Sequence, residues 1–437
     1  MTHLTPTPAQ FRWQQLEFGA FIHFGINTFA GKEWSDGTIP PSTFNPTELD
    51  AVSWARAAKE AGARYLVLTA KHHDGFCLWP TATTDYSVAS SPWRGGSGDV
   101  VRDVAEACEE QGVGLGLYLS PWDRNADCYS DPAAYDDFYV QQLTELCTGY
   151  GQVMELWFDG AGSVGREYDW ERIIAVVKEH QPDAMIFNMG QPTIRWVGNE
   201  NGLASDPVNY VVDRTSDTQY TDSSSGLEAE HYLPPECDVS LRRGWFWHPD
   251  DEPKSTEHLL AIYYQSVGMG ANLLLNLPPD TRGLIPERDV ARLKEWKAEL
   301  DRRLSGTVEA TVEHHDGGAT LSFPAAVTFN HLELVEDLSS GQRITQHAVF
   351  GDGVVADDGG AGAGLGGAGL AGAGLAEGKT VGNRRVHQVP VVTAKRLHVK
   401  LSGEDGRLGS ARVYTGALDA AVPMIPEGYE APTDAPE

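Results

Sequence analysis

The run VMELWFDG (153–160) carries the residue types best suited to chemistry. Read as a strand, it puts Glu155, Trp157 and Asp159 on one face and Leu156 and Phe158 on the other. The apolar pair would pack under helices. Asp159, last of the polar set, would stand at the strand's end. An ionised carboxylate there can attack an electrophilic carbon or take a proton. A strand-end Asp before Gly is more often a turn cap, but a Trp two positions earlier on the same face weighs against that reading here. In VGLGLYLS (113–120), Gly114, Gly116, Tyr118 and Ser120 share a face that leaves room below the Tyr, with Trp122 just beyond. His23 ends the apolar run AFIH, a position more often held by a core histidine. His72 and His73 follow directly on the run RYLVLTAK (64–71). Adjacent histidines on an extended segment diverge, so they suit hydrogen bonding rather than joint metal ligation. No metal and no cofactor is expected.

A carboxylate that works on a glycosidic bond needs a second carboxyl group facing it. Glu200 in RWVGNENG, Glu236 in PPECDVS and Glu33 in GKEW are the candidates. Spacing does not choose among them. All three read as loop residues, where charged side chains are usually just solvated.

The elements that must position these groups alternate strand with helix over the first 300 or so residues. Apolar runs at 17–26, 64–71, 113–120, 153–160, 184–190 and 271–277 read as strands. Amphipathic stretches at 46–62, 99–112, 131–149, 168–180, 255–267 and 286–304 read as helices. This order predicts parallel βαβ units. The length, and the lack of a GxGxxG opening a helix after the first strand, favour a (β/α) TIM-like barrel over a dinucleotide fold. Weak periodicity between 190 and 250 predicts an irregular barrel there.

After residue 305 short alternating runs predict a C-terminal antiparallel β-sandwich. The expected division is a barrel over 1–305, a sandwich over 306–418 and a flexible tail over 419–437. A Gly/Ala/Leu tract at 357–378 lacks a periodic apolar face and reads as a loop insertion.

FIHFGINTF, GKEW, LTAKHHDGFCLW, GLYLSPWD, ELWFDG, RWVGNE, ECDVS and GWFWH occur in this order. Together they resemble the family 29 α-L-fucosidases, over roughly residues 10 to 300. The RWVGNE and GWFWHP segments resemble the subfamily acting on α-1,3/1,4-linked fucose of branched glycans. The resemblance implies an exo-acting, retaining double displacement on terminal L-fucose, with a fucosylated oligosaccharide or glycoconjugate as substrate. It implies Asp159 as nucleophile and Glu200 as acid/base, with Glu236 in reserve. It also implies a fucose pocket lined by His23, Glu33, Trp34, His72, His73, Tyr118 and Trp157, with Arg195, Trp245 and Trp247 as additions. The Gly/Ala tract departs from the family pattern. Broad-specificity hydrolysis and a non-catalytic fucose-binding protein on the same barrel are the alternatives, and the presence of both carboxyl candidates favours an enzyme.

The whole-chain numbers narrow the partners. The 437 residues carry a formal charge of −29, which repels phosphate backbones and anionic membrane faces. Twelve Trp and fifteen Tyr suit the C–H faces of sugars but are equally ordinary core residues. The five Cys form no CxxC, so neither a disulfide framework nor a zinc site is indicated. The N-terminal residues show no basic and apolar leader pattern, which reads as a cytoplasmic chain.

Overall fold

The computed structural model describes residues 4–163, 165–215, 226–351 and 373–429. In chain order the first part comprises α1 (Pro8–Gln14), β1 (Phe18–Ile22), α2 (Ile26–Ala30), α3 (Ala51–Ala61), β2 (Tyr65–Lys71), α4 (Val100–Gln111), β3 (Gly114–Leu119), α5 (Pro132–Gly149) and β4 (Val153–Trp157). It continues with α6 (Trp170–His180), β5 (Met185–Phe187), β6 (Arg195–Trp196), β7 (Val211–Arg214), β8 (Gly226–Tyr232), β9 (Pro235–Ser240), α7 (Thr256–Gln265), β10 (Asn272–Asn276) and α8 (Glu287–Arg303).

Local chemistry sets where the helices start. Asp50, Asp99, Asp169 and Ser255 each accept a hydrogen bond from the backbone N–H three residues on, opening α3, α4, α6 and α7. Each such cap stabilises its helix by about 1 kcal/mol. Gly62 and Gly112 end α3 and α4 in the left-handed region, at φ 103° and 67°.

Eight strands pair in parallel in the order β5-β4-β3-β2-β1-β10-β9-β6. A further parallel bridge between Phe187 and Ile194 brings the two ends of this sheet together, so the strands form a nearly closed barrel. The expected irregularity lies between β5 and α7. Among the described residues no α-helix occurs there, and the antiparallel pair β7–β8 takes that place.

Strand alternation divides the apolar residues into two layers. Ile22, Leu66, Leu117, Leu156, Ile186 and Leu275 face outward, against Ala55, Val104, Leu143, Ile174, Ile262 and Leu293 of the helices. Phe21, Tyr65, Val67, Tyr118, Trp157, Phe187, Trp196 and Leu274 fill the interior. The room expected beside the inner-face glycines is taken by neighbouring strands. A Cβ on Gly116 would lie 2.8 Å from Val67, and one on Gly19 would lie 2.4 Å from the Tyr65 ring.

The second part is antiparallel: β11 (Thr307–Glu309), β12 (Thr311–His315), β13 (Gly318–Glu336), β14 (Gln346–Gly351), β15 (Ala373–Gly378), β16 (Arg385–Ser402) and β17 (Leu408–Tyr414). The order is β11-β17-β13-β16-β14-β15, with β12 on β13. The long β13 and β16 shift register between Ser322 and Val327 and again between Phe329 and His331. These irregularities bend the sheet so that its faces enclose Leu321, Phe329, Leu332, Val349, Leu397 and Val413.

The Gly/Ala tract needs a correction. Residues 357–372 lie outside the described residues, but 373–378 form β15 and pair with β14. Of the segment expected as a tail, residues 430–437 lie outside the described residues. Before them, Arg302 pairs with Asp419 at 2.8 Å, Arg303 donates to the Ala421 carbonyl at 2.8 Å, and the Tyr429 ring meets His258 at 4.4 Å.

Candidate active site

The mouth of the barrel is built from residues just past the strand ends, where a (β/α) barrel carries its working groups. Asp159 lies two positions beyond β4. Its Oδ1 accepts the Ala161 N–H at 2.8 Å, and its Oδ2 accepts the Tyr118 hydroxyl at 3.0 Å. The turn-cap role of a strand-end Asp is therefore present and leaves the other oxygen for chemistry. The side chain is 21% exposed, so the carboxylate opens to the mouth. Burial of its surroundings raises its pKa above the usual carboxylate value, and the Ala161 and Tyr118 donors pull it back.

Three histidines gather around Tyr118, the hydroxyl donor to this carboxylate. His73 Nδ1 lies 2.7 Å from Ser120 Oγ, and that hydroxyl donates to the Trp122 carbonyl. The Ser120 proton is thus committed, so His73 Nδ1–H must be the donor. Nε2, 3.6 Å from Asp159 Oδ2, then carries a lone pair that can accept from a ligand hydroxyl. His23 Nδ1 lies 3.0 Å from Asn276 Oδ1, which also fixes its proton on Nδ1. His72 stacks on Tyr118 at 5.7 Å and 15°, and its buried Nδ1 has no hydrogen-bond partner. Burial keeps all three neutral, with His23 and His73 pulled down to about 3 and His72 well below its usual value.

Aromatic and acidic groups close the ring. The Trp34 ring meets His73 at 5.1 Å and Trp122 at 5.4 Å, and the Trp245 ring meets His23 at 5.1 Å. Glu33 Oε2 accepts the backbone N–H groups of Trp245 and Phe246 at 2.9 and 3.1 Å. It therefore ties the loop after β1 to the loop after β9. A Cβ on Gly244 would lie 2.1 Å from Glu33 Oε1, so a side chain there would push the Glu33 carboxyl aside. Trp247 lines a hollow beside Glu33 together with Arg243, His248 and Asp251. Trp157, 5% exposed, lies in the layer beneath. It stacks on Phe187 at 3.8 Å and on Tyr118 at 5.5 Å.

Besides Trp157, two expected residues lie away from the mouth. Arg195 precedes the inward-facing Trp196, so its side chain leaves the barrel. It donates to the Asn209 carbonyl at 2.9 Å, and burial lowers its pKa to about 10. Glu236 is not a loop residue but the second residue of β9, fully buried near the barrel floor. It accepts the Tyr65 hydroxyl at 2.5 Å and Trp157 Nε1–H at 3.1 Å. It also faces Glu155, and burial raises both carboxyls. Glu200 lies half-buried on the loop after β6. Asn199 braces that loop, donating to the Leu203 carbonyl at 2.8 Å and accepting from Asn201 N at 3.1 Å.

A residue outside the expected set also shapes the mouth: Asn276 orients His23 and donates to the Trp245 carbonyl at 2.7 Å. Its place as the last inward residue of β10 was the available signal. Trp122 and Ser120 belong to the mouth for the same reason at β3. Among the described residues no cluster of three side chains could hold a metal ion, and no helix is long and apolar enough to cross a membrane.

The α-L-fucosidase family model matches residues 2–298, the whole barrel. The chain belongs to the α-L-fucosidases. It is 41% identical to α-L-fucosidase 1 of Arabidopsis thaliana over 78% of this chain and 75% of that protein. A candidate α-L-fucosidase structure from Bacteroides ovatus is 40% identical, with a TM-score of 0.82 over 94% of this chain and 74% of that one. A Ruminococcus gnavus family 29 fucosidase solved in complex with fucose is 28% identical, with a TM-score of 0.77 and 94% of each chain covered. This α-L-fucosidase is a glycoside hydrolase, and its barrel and antiparallel second part are those of its family.

Proposed function

We propose that this α-L-fucosidase releases terminal α-1,3/1,4-linked L-fucose by a retaining double displacement, with Asp159 as nucleophile and Glu200 as acid/base. The observation that carries the reading is the setting of Asp159. It is an open carboxylate at a strand end, held by two donors and set beside the neutral His73. In the first step Asp159 attacks C1 while Glu200 protonates the leaving oxygen. In the second, Glu200 takes a proton from water as water displaces Asp159 from C1. The lone pairs on His73 and His23 Nε2 would accept from fucose hydroxyls. Trp34 and Trp245 would cover the apolar faces and the methyl group. Support for Glu200 over Glu236 comes from depth: Glu236 is fully buried and occupied by Tyr65 and Trp157.

The test is parallel incubation with Lewis-type trisaccharides, 2′-linked fucosyllactose and an aryl fucoside, followed by NMR of the first-formed anomer. Cleavage of the Lewis-type substrates alone, with α-fucose formed first, is expected. Preferential cleavage of the other two overturns the linkage assignment, and β-fucose as the first product overturns retention.

A further inference from the structure

Two adjacent arginines follow β9 and are used in opposite ways. Arg242 is fully buried and grips Asp289 with two hydrogen bonds, at 2.7 and 2.8 Å. It also donates to the His248 and Asp251 carbonyls, so it anchors the loop after β9. Arg243 stands exposed and makes no hydrogen bond or ion pair among the described residues. Its guanidinium is left for a ligand or for solvent, and its surroundings favour a ligand.

Arg243 lines the hollow beside Glu33, a space of about 190 Å³ that opens to solvent between the loop after β1 and the loop after β9. Lys32 and Glu33 line it from the first loop, and Trp247 and Asp251 join Arg243 from the second. Trp247 offers ring surface, because its indole N–H is shut inside the protein without a partner. Asp251 spends Oδ2 on the Gly244 N–H at 3.3 Å and leaves Oδ1 for an incoming donor. Arg243 brings a planar fork of N–H donors. The charges balance, with Lys32 and Arg243 against Glu33 and Asp251, so the hollow has no net sign with which to hold an ion. An aromatic surface beside donors and acceptors of both kinds is the lining that a neutral, hydroxyl-rich ring needs.

The place of the hollow ties it to the reaction. Glu33 and Gly244 line the hollow, while their chain neighbours Trp34 and Trp245 line the mouth, against His73 and His23 at 5.1 Å each. The bonds from Glu33 to the Trp245 and Phe246 amides close this boundary. Hollow and mouth thus share one wall, a single residue thick on each loop.

We infer that the hollow is a subsite for the aglycone: it seats a neutral pyranose of the oligosaccharide that loses fucose, with Trp247 against the ring and Arg243 and Asp251 on its hydroxyls, and Arg243 sets the preference for a glycan over a simple fucoside. This rests on the mouth around Asp159 as the hydrolytic site; it does not depend on the linkage or on which carboxyl is the acid/base.

The test compares Arg243→Ala with the wild type on a Lewis-type trisaccharide, 2′-linked fucosyllactose and an aryl fucoside. Arg243 is exposed, so the melting temperature should not move; where it does, Arg243→Gln takes the variant's place. On whichever oligosaccharide the wild type cleaves faster, kcat/KM is expected to fall roughly tenfold or more, the worth of a charged donor to a sugar hydroxyl. The aryl fucoside has no second sugar, so its kcat/KM should stay near the wild-type value, as should inhibition by free L-fucose. A general disturbance of the mouth would lower all of these together. Unchanged cleavage of the oligosaccharide, an equal loss on the aryl fucoside, or a wild type that cleaves only the aryl fucoside overturns the subsite. Asp159→Ala separates the two levels. Wild-type-like turnover of the aryl fucoside by Asp159→Ala removes the mouth as the hydrolytic site and the subsite with it. Loss of that turnover, combined with Arg243→Ala cleaving the oligosaccharide as the wild type does, removes the subsite alone.

Discussion

Two sets of carboxyls share the interior of one barrel and live under opposite conditions. At the floor, Glu155 and Glu236 are fully buried and satisfied by protein: Trp13 Nε1 donates to Glu155 at 2.9 Å, and Tyr65 and Trp157 donate to Glu236. Glu155 Oε1 has no other partner, so a proton on it points at Glu236. At the mouth, Asp159 keeps a fifth of its side chain exposed and one oxygen 3.6 Å from the neutral His73. On the proposed reading, depth along the strand, rather than residue type, separates the structural carboxyls from the reactive one. The largest effect should follow from breaking the mouth side. With Asp159 as the proposed nucleophile, Asp159→Ala should cut turnover by roughly 10⁴-fold or more, because the covalent route would be lost. It should leave the melting temperature near that of the wild type. Azide should rescue the variant and give β-fucosyl azide. Wild-type-like turnover without azide would remove Asp159 from the mechanism.

Breaking the floor side should reverse the pattern. Glu236→Ala strands the Tyr65 hydroxyl, the Trp157 N–H and the Glu155 carboxyl in a cavity. Removing one partner of such a buried set costs about 3–5 kcal/mol, so the melting temperature should drop sharply. The folded fraction should still turn over substrate, since Trp157 keeps its stacking on Phe187 and Tyr118. A Glu236→Ala enzyme with native stability and no turnover would place Glu236 in the chemistry and dissolve the contrast between floor and mouth.

Much of this contrast was legible in the sequence, and its limits have a physical origin. Alternation in VMELWFDG correctly faced Glu155 and Trp157 inward and Leu156 and Phe158 outward, because a barrel strand is covered on both sides. The same logic could have found Asn276, since it holds the last inward position on its strand. Glu236 looked like a loop residue because PPECDVS opens on two prolines and a strand of six residues has little pattern to show. Arg195 was assigned to the pocket by the resemblance alone. β6 has two residues, and two residues carry no period, so nothing local said which of Arg195 and Trp196 would turn inward. The bond from Glu33 to the Trp245 and Phe246 amides joins segments more than 200 residues apart, and no local signal encodes it.

The smallest effect sharpens the comparison through pH. His23 and His73 titrate near 3 in the folded protein, against about 6.5 for an unfolded histidine, because burial disfavours the charged ring. Between these values the unfolded chain binds protons that the folded one does not. Stability from the mouth histidines is therefore complete above about pH 6.5 and drains away as pH falls toward 3. The floor pair runs the other way. Its carboxyls are raised on folding, so the folded form holds a proton that the unfolded chain releases, and its contribution weakens as pH rises above the ordinary Glu range. Melting temperatures from pH 4 to 8 should separate the two. His73→Gln should flatten the acid-side decline, and Glu236→Gln should flatten the loss toward neutral pH. If both variants keep the wild-type slopes, titration is not what distinguishes the two layers, and the difference between them reduces to solvent access at the mouth.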